Sequence, residues 1–133
     1  MHMNPYLFFS GNCELAFKFY AQCLGGKIEM MLPHAGSPAE TQVPSEWRDK
    51  IMHVRMSVGD QLLMGSDAPP GHQEAPKGFY VSLQIEDPAE AERIFDALAT
   101  NGQVRMALAQ TFWARRFGML IDQFGTPWMI NCP

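Results

Sequence analysis

Residues 12–26 read NCELAFKFYAQCLGG, and residues 87–102 read DPAEAERIFDALATNG. Superposed with an offset of 75, they place Asn12 on Asp87, Ala16 on Ala91, Lys18 on Arg93, Phe19 on Ile94, Tyr20 on Phe95 and Cys23 on Leu98. The apolar matches recur at i, i+3, i+4 and i+7, the spacing of one stripe along a helix. Each segment opens on a residue type that accepts the free N–H groups of a first helical turn, Asn12 or Asp87, and each stops at glycine. Pro88 sits where a missing N–H costs nothing. The spacing predicts two amphipathic helices of about four turns, one in each half of the chain.

Working outward, a strand precedes each helix: Pro5 to Ser10 in the first half, and Phe79 to Ile85 in the second, where apolar and polar residues alternate as in a half-buried strand. Three further candidate strands follow each helix. They are Lys27 to Leu32, Lys50 to Val58 and Gln61 to Ser66, then Gln103 to Ala109, Phe117 to Asp122 and Thr126 to Asn131. The short connections Val58-Gly-Asp-Gln61 and Asp122-Gln-Phe-Gly125 carry the glycine and aspartate that tight turns require. The order is βαβββ twice. The stretches Pro33 to Asp49 and Ala68 to Lys77 hold much of the proline and no regular period, which predicts long surface loops able to border a pocket.

At 133 residues the chain forms one domain of ordinary size, residues 1–133, with a first module over 1–68 and a second over 77–133. A net charge of -4 and the absence of any basic run longer than Arg115-Arg116 argue against nucleic acid or an anionic membrane as partner. No apolar run approaches membrane-spanning length, and residues 1–10 lack the basic leader and apolar core of a signal peptide, so a cytoplasmic location is expected. Cys13, Cys23 and Cys132 lie in no CxxC spacing and are expected to be packing residues rather than disulfide or zinc partners.

With the duplication in hand, the stretches PYLFFSGNCELAFKFYAQCLGG, LLMGSDAPP and TFWARRFGMLIDQFGTPWMIN resemble the vicinal oxygen chelate superfamily, also called glyoxalase/bleomycin resistance/dioxygenase, and within it the PhnB-like branch. The resemblance covers nearly the whole chain. It implies an α+β fold in which two βαβββ modules form a cup-shaped curved sheet with helices outside, and it implies a homodimer. Many relatives hold a divalent metal through four side chains and use it as a Lewis acid on vicinal oxygens. In such relatives one ligand lies on the first strand of each module, seven residues before the helix-capping residue, which is Pro5 and Tyr80 in this chain. The other two lie four residues after the turn glycine, at Leu63 and Met129. Proline and leucine cannot ligate through their side chains, and methionine is too soft for Mg, Mn or Zn, so the usual metal quartet is absent and no metal is expected. No glycine-rich loop leads from a strand into a helix to seat a nucleotide-like cofactor, so no cofactor is expected either.

Strand alternation says what the concave side would present instead. Met52, Val54, Met56 and Val58 form one face of their strand, and His53, Arg55 and Ser57 the other. Phe79, Val81, Leu83 and Ile85 oppose Tyr80, Ser82 and Gln84. With helices on the apolar faces, His53, Arg55, Ser57, Tyr80, Ser82 and Gln84, with Met129 and Asn131 of the last strand, become a mixed polar pocket. Trp113, at a bend, is a candidate wall, whereas Trp128 shares the helix-facing side with Ile130. His53 and Arg55 could bind or polarise an anionic or carbonyl-bearing ligand, and the bland alternative is that they tether a loop. His2, His34 and His72 are expected in solvent.

Two function classes follow. One is a small-molecule-binding protein, as the loss of the metal quartet suggests. The other is a lyase, isomerase or dioxygenase type of enzyme acting on a small oxygenated metabolite through an atypical metal or His53 acid/base chemistry.

Overall fold

A computed structural model describes residues 1–133. The first module runs β1 (Tyr6–Phe9), α1 (Cys13–Leu24), β2 (Lys27–Pro33), β3 (Ile51–Val58) and β4 (Gln61–Asp67). The second runs β5 (Val81–Gln84), α2 (Pro88–Ala99), β6 (Gln103–Ala109), β7 (Arg116–Ile121) and β8 (Pro127–Cys132). The sheets have the orders β1-β4-β3-β2 and β5-β8-β7-β6. In each, the strand before the helix runs parallel to the last strand of its module, and every other pairing is antiparallel. The βαβββ duplication is therefore present as two α+β units, Met1–Glu74 and Ala75–Pro133. No helix is long and apolar enough to cross a membrane.

One physical rule builds both cores. Alternate strand residues turn to the helix, and α2 answers with the stripe read from the sequence, whereas in α1 Phe17 is buried and Phe19 only half-buried. In the first module Leu7, Phe9, Val54, Met56 and Leu63 are buried with Ala16, Phe17, Tyr20 and Cys23 of α1. Phe17 meets Tyr20 and Phe9 edge-on, with ring centroids 5.6 and 6.0 Å apart. Gly65 on β4 allows this approach: a Cβ there would lie 2.7 Å from both the Leu7 carbonyl oxygen and Phe17 Cε1. In the second module Ala91, Ile94, Phe95 and Leu98 of α2 are buried with Leu120, Trp128, Ile130 and Cys132. Gly118 of β7 plays the corresponding part beneath Phe95, whose Cε2 would be 2.7 Å from an added Cβ. Trp128 and Ile130 thus stand on the helix side as expected, and all three cysteines are buried.

The helix ends differ from the sequence expectation. Both helices have 12 residues, about three turns rather than four. Asp87 caps α2, accepting from the Ala89 N–H at 3.2 Å, but Asn12 makes no side-chain cap. The carboxylate of Asp67, from the end of β4, takes that place, accepting from the N–H groups of Gly11 at 2.8 Å and Cys13 at 3.0 Å, and from Ile51 at 2.9 Å. A residue 54 positions away in the chain does what the local sequence assigned to a neighbour. α1 stops at Gly25 in the left-handed conformation, whereas in α2 that conformation falls on Asn101, the residue before Gly102.

Two other expectations are corrected. His34 is buried rather than solvated, because Pro33 to Asp49 folds over it with two single-turn 3-10 helices, and its Nδ1 lies 2.9 Å from the Lys50 carbonyl oxygen. Phe79 does not join the apolar face of its strand. β5 begins two residues later, at Val81, and Phe79 is exposed.

Candidate functional site

The face of each sheet turned away from its helix carries the polar residues. In the first module the register fixes which they are. Val54 and Met56 face α1, so His53, Arg55 and Ser57 between them face outward. Arg55 is flanked across the sheet by Met30 of β2 and Met64 of β4. Met64 is in turn opposite Tyr6 of β1. Tyr6 lies over His53, the rings nearly parallel with centroids 5.8 Å apart, and its hydroxyl is 3.2 Å from His53 Nδ1. Phe8 is tilted against Tyr6 at 5.2 Å.

This hydrogen bond orients the imidazole through Nδ1. Which nitrogen carries the proton follows from which partner donates. Arg55 Nε stands 3.4 Å from Glu29 Oε2, both side chains partly exposed, so the guanidinium is steadied at the surface. Glu29 reaches Arg55 because the register shifts between Ile28 and Met30, and this bulge leaves Glu29 outside the regular pairing.

The second module presents a different surface. Ser82 and Gln84 of β5 lie opposite Met129 and Asn131 of β8. Asn131 Nδ2 donates to Gln84 Oε1 at 2.8 Å, and Gln84 Nε2 donates to Ser82 Oγ at 3.3 Å, giving a chain of amides ending in a hydroxyl. Asn131 Oδ1 is enclosed and has no hydrogen-bond partner. Trp113 precedes β7 and meets Phe117 edge-on at 5.2 Å and Phe112 edge-on at 4.7 Å. Tyr80 precedes β5 and is half-buried.

The first module therefore brings together His53, Arg55 and Ser57, and the second Ser82, Gln84, Met129 and Asn131. Tyr6, Phe8 and Glu29 were missed from sequence. In Tyr-Leu-Phe-Phe every residue is apolar or aromatic, so no alternation marks the outward pair. Glu29 owes its position to a bulge that the sequence does not signal.

The positions taken from metal-dependent relatives also need a correction. Leu63 is buried opposite Met56 on the helix side, so the outward residues of β4 are Leu62 and Met64. By the same alternation Pro5 has the parity of buried Leu7, and Tyr6 is the outward residue of β1. Leu62 and Met64 are no better than Leu63 as ligands for a hard cation, while Tyr6 brings a phenol oxygen that lies 3.2 Å from His53 Nδ1. No three His, Cys, Asp or Glu side chains converge as a metal site.

Met129 lies on the outward face of β8 between buried Trp128 and Ile130, and the turn before it has a structural purpose. Asp122 Oδ1 accepts from the N–H groups of Phe124 at 2.8 Å and Thr126 at 3.0 Å, closing the Asp-Gln-Phe-Gly turn. Its Oδ2 accepts from the indole N–H of Trp128 at 2.8 Å, and all of Asp122, Thr126 and Trp128 are buried. Cys13 offers no nucleophile, since burial first, and then the negative charges of Asp67 and Glu14, push its thiol far above its ordinary pKa.

Comparison with known proteins agrees with this architecture. The sequence model of the Glyoxalase/Bleomycin resistance protein/Dioxygenase superfamily matches residues 2–130. Protein YjdN of Escherichia coli K12 is 36% identical over 139 residues, covering 98% of this chain and 95% of YjdN. The crystal structure of PA1353 from Pseudomonas aeruginosa is 50% identical with a TM-score of 0.91, covering 99% of this chain and 97% of that one. The PhnB protein from Bacillus cereus, 20% identical, shares the fold over 100% of both chains at a TM-score of 0.84. The fold, the duplication and these relatives agree: the chain belongs to the Glyoxalase/Bleomycin resistance protein/Dioxygenase superfamily.

Proposed function

We propose that the protein binds a small oxygen-bearing molecule on the outward face of its first module, with His53 and Arg55 as the polar contacts. The observation that carries this is the Tyr6–His53 pair beside Arg55: an oriented imidazole and a steadied guanidinium, flanked by Phe8 and Met64. Aromatic and thioether walls supply contact area, and a few fixed polar groups supply orientation, the division of labour usual in small-molecule sites. A carboxylate or 2-oxo acid suits the guanidinium, whose planar fork matches two oxygens at once. Ser82, Gln84 and Asn131, with Tyr80 and Trp113, are the candidates in the second module.

A second reading is favoured by the same hydrogen bond. A histidine held through Nδ1 by a neighbouring hydroxyl has its other nitrogen aimed for proton transfer, so His53 could act as acid or base on the bound molecule. Buried thiols outside any disulfide, those of Cys13 and Cys132, suit a reducing compartment such as the cytoplasm. A homodimer, expected of the family, is supported by the exposure of Phe8, Phe112 and Trp113.

The test is a thermal-shift screen of 2-oxo acids, 2-hydroxy acids and their uncharged amides, repeated on Arg55→Ala and His53→Ala. Acids should raise the melting temperature of the wild type, and each variant should lose most of that rise. If no compound raises it, or if both variants respond like the wild type, this reading fails.

A further inference from the structure

Across the outward face of the second module, three methionines lie directly opposite one another on adjacent strands. Met106 of β6 pairs with Met119 of β7, and Met119 pairs with Met129 of β8. Their shared face follows from the buried residues alternating with them: Leu120, Ile130 and Trp128 are at most 0% exposed on the helix side, so Met119 and Met129 point the other way. Val104 pairs with Leu120 and Met106 with Met119, so Met106 joins the same row. Residues facing each other on neighbouring strands have Cβ atoms about 4.5–5.5 Å apart, within the span of two methionine side chains directed at one atom.

This row is not core. Met106 is 45% exposed and Met119 and Met129 are half-buried, whereas Met56, a core methionine of the first module, is wholly buried. The first module supplies the internal comparison. Its corresponding row, β2-β3-β4, reads Met30, Arg55, Met64, with a guanidinium where the second module has Met119. The two rows are alike at their ends and differ at the centre by a positive charge. The first repels a cation, and the second offers three uncharged, polarisable sulfurs and no fixed positive charge among them.

We propose that Met106, Met119 and Met129 form a binding site for a soft monovalent metal ion of the Cu(I) class. Thioethers are poor ligands for Mg, Mn or Zn and good ones for Cu(I), and three on one face match the low coordination number such ions accept. No change of oxidation state or proton transfer is involved: the ion enters as Cu(I) and the sulfurs are neutral before and after. The site lies in the second module and does not rest on the small-molecule reading at His53 and Arg55.

The experiment uses the full chain labelled with methyl-13C methionine and titrated with Ag(I), a redox-inert ion of the same class, in chloride-free buffer. Methyl signals are assigned by single Met→Leu variants, which keep volume and apolarity. The methyls of Met106, Met119 and Met129 should shift together and saturate at one equivalent, with that of Met56 unmoved. Met119→Leu should weaken binding by at least about tenfold, as loss of a ligand does no less than loss of an outer-shell partner. Met119→Arg, which restores the first module's pattern, should abolish it. Competition with a Cu(I) chelator should give the same order of variants. The proposal is overturned if Ag(I) moves other methionines and not these three, if Met119→Leu binds like the wild type, or if stoichiometric binding survives in the triple leucine variant through the cysteines.

Discussion

Asp122 provides the sharpest test of how the second module is held together. Its carboxylate accepts two backbone N–H groups of its own turn and the indole N–H of Trp128, at 2.8 to 3.0 Å. Thr126 and Trp128 are 2% and 0% exposed, so water cannot replace the carboxylate at those two donors, whereas the half-buried Phe124 N–H can be partly rehydrated. Each buried donor stripped of its acceptor costs about 1–3 kcal/mol, so Asp122→Ala should destabilise the protein by about 3–5 kcal/mol after allowing for relief of the carboxylate's own burial. Asp122→Asn keeps one acceptor oxygen but turns an amide donor toward either the indole or the turn, and should cost about 2 kcal/mol. Urea unfolding followed by far-ultraviolet circular dichroism measures both. A double-mutant cycle with Trp128→Phe should return a coupling of about 1.5–3 kcal/mol, the value of a hydrogen bond to a charged group. A loss below about 1 kcal/mol for Asp122→Ala, or a coupling near zero, would refute the view that the Asp-Gln-Phe-Gly turn and the buried tryptophan are one device.

Met56→Ala should cost about 2–5 kcal/mol through a cavity under α1, while Arg55→Ala, which removes only a part-exposed contact with Glu29, should cost less than about 1 kcal/mol. The reverse order in urea titrations would mean β3 faces the other way. Gly65→Ala should cost about 1–3 kcal/mol, because the new Cβ meets the Leu7 carbonyl and the enclosed Phe17 ring, and an unchanged midpoint would show that the helix can back away. The Cys13 thiol, raised by burial above its ordinary value of 9.0, stays protonated in the folded chain where the unfolded chain ionises. Stability should therefore be full below pH 9 and fall above it, by up to about 1.4 kcal/mol per pH unit from this group, and Cys13→Ala should flatten the decline. An equally steep decline in that variant would assign the loss to other groups.

What the sequence determined by itself was everything that repeats with a local period. The stripe Ala16, Phe19, Tyr20, Cys23 and its partner Ala91, Ile94, Phe95, Leu98 fixed two helices, and the alternation of Ile51 to Val58 fixed which residues of β3 face outward, because these patterns are written over a few consecutive residues. Only the tertiary structure decided what depends on partners distant in the chain. Asp67 rather than Asn12 caps the first helix, since a carboxylate brought in by β4 also satisfies Ile51 and so serves two elements together. Tyr6 became the partner of His53 through the parallel pairing of β1 with β4, which settled the facing of an ambiguous apolar run, and the antiparallel pairing of β4 with β3 set Leu63 in the core. A one-residue change of register exchanges the two faces of a strand, and where both faces are apolar nothing in the sequence records which one the sheet has chosen.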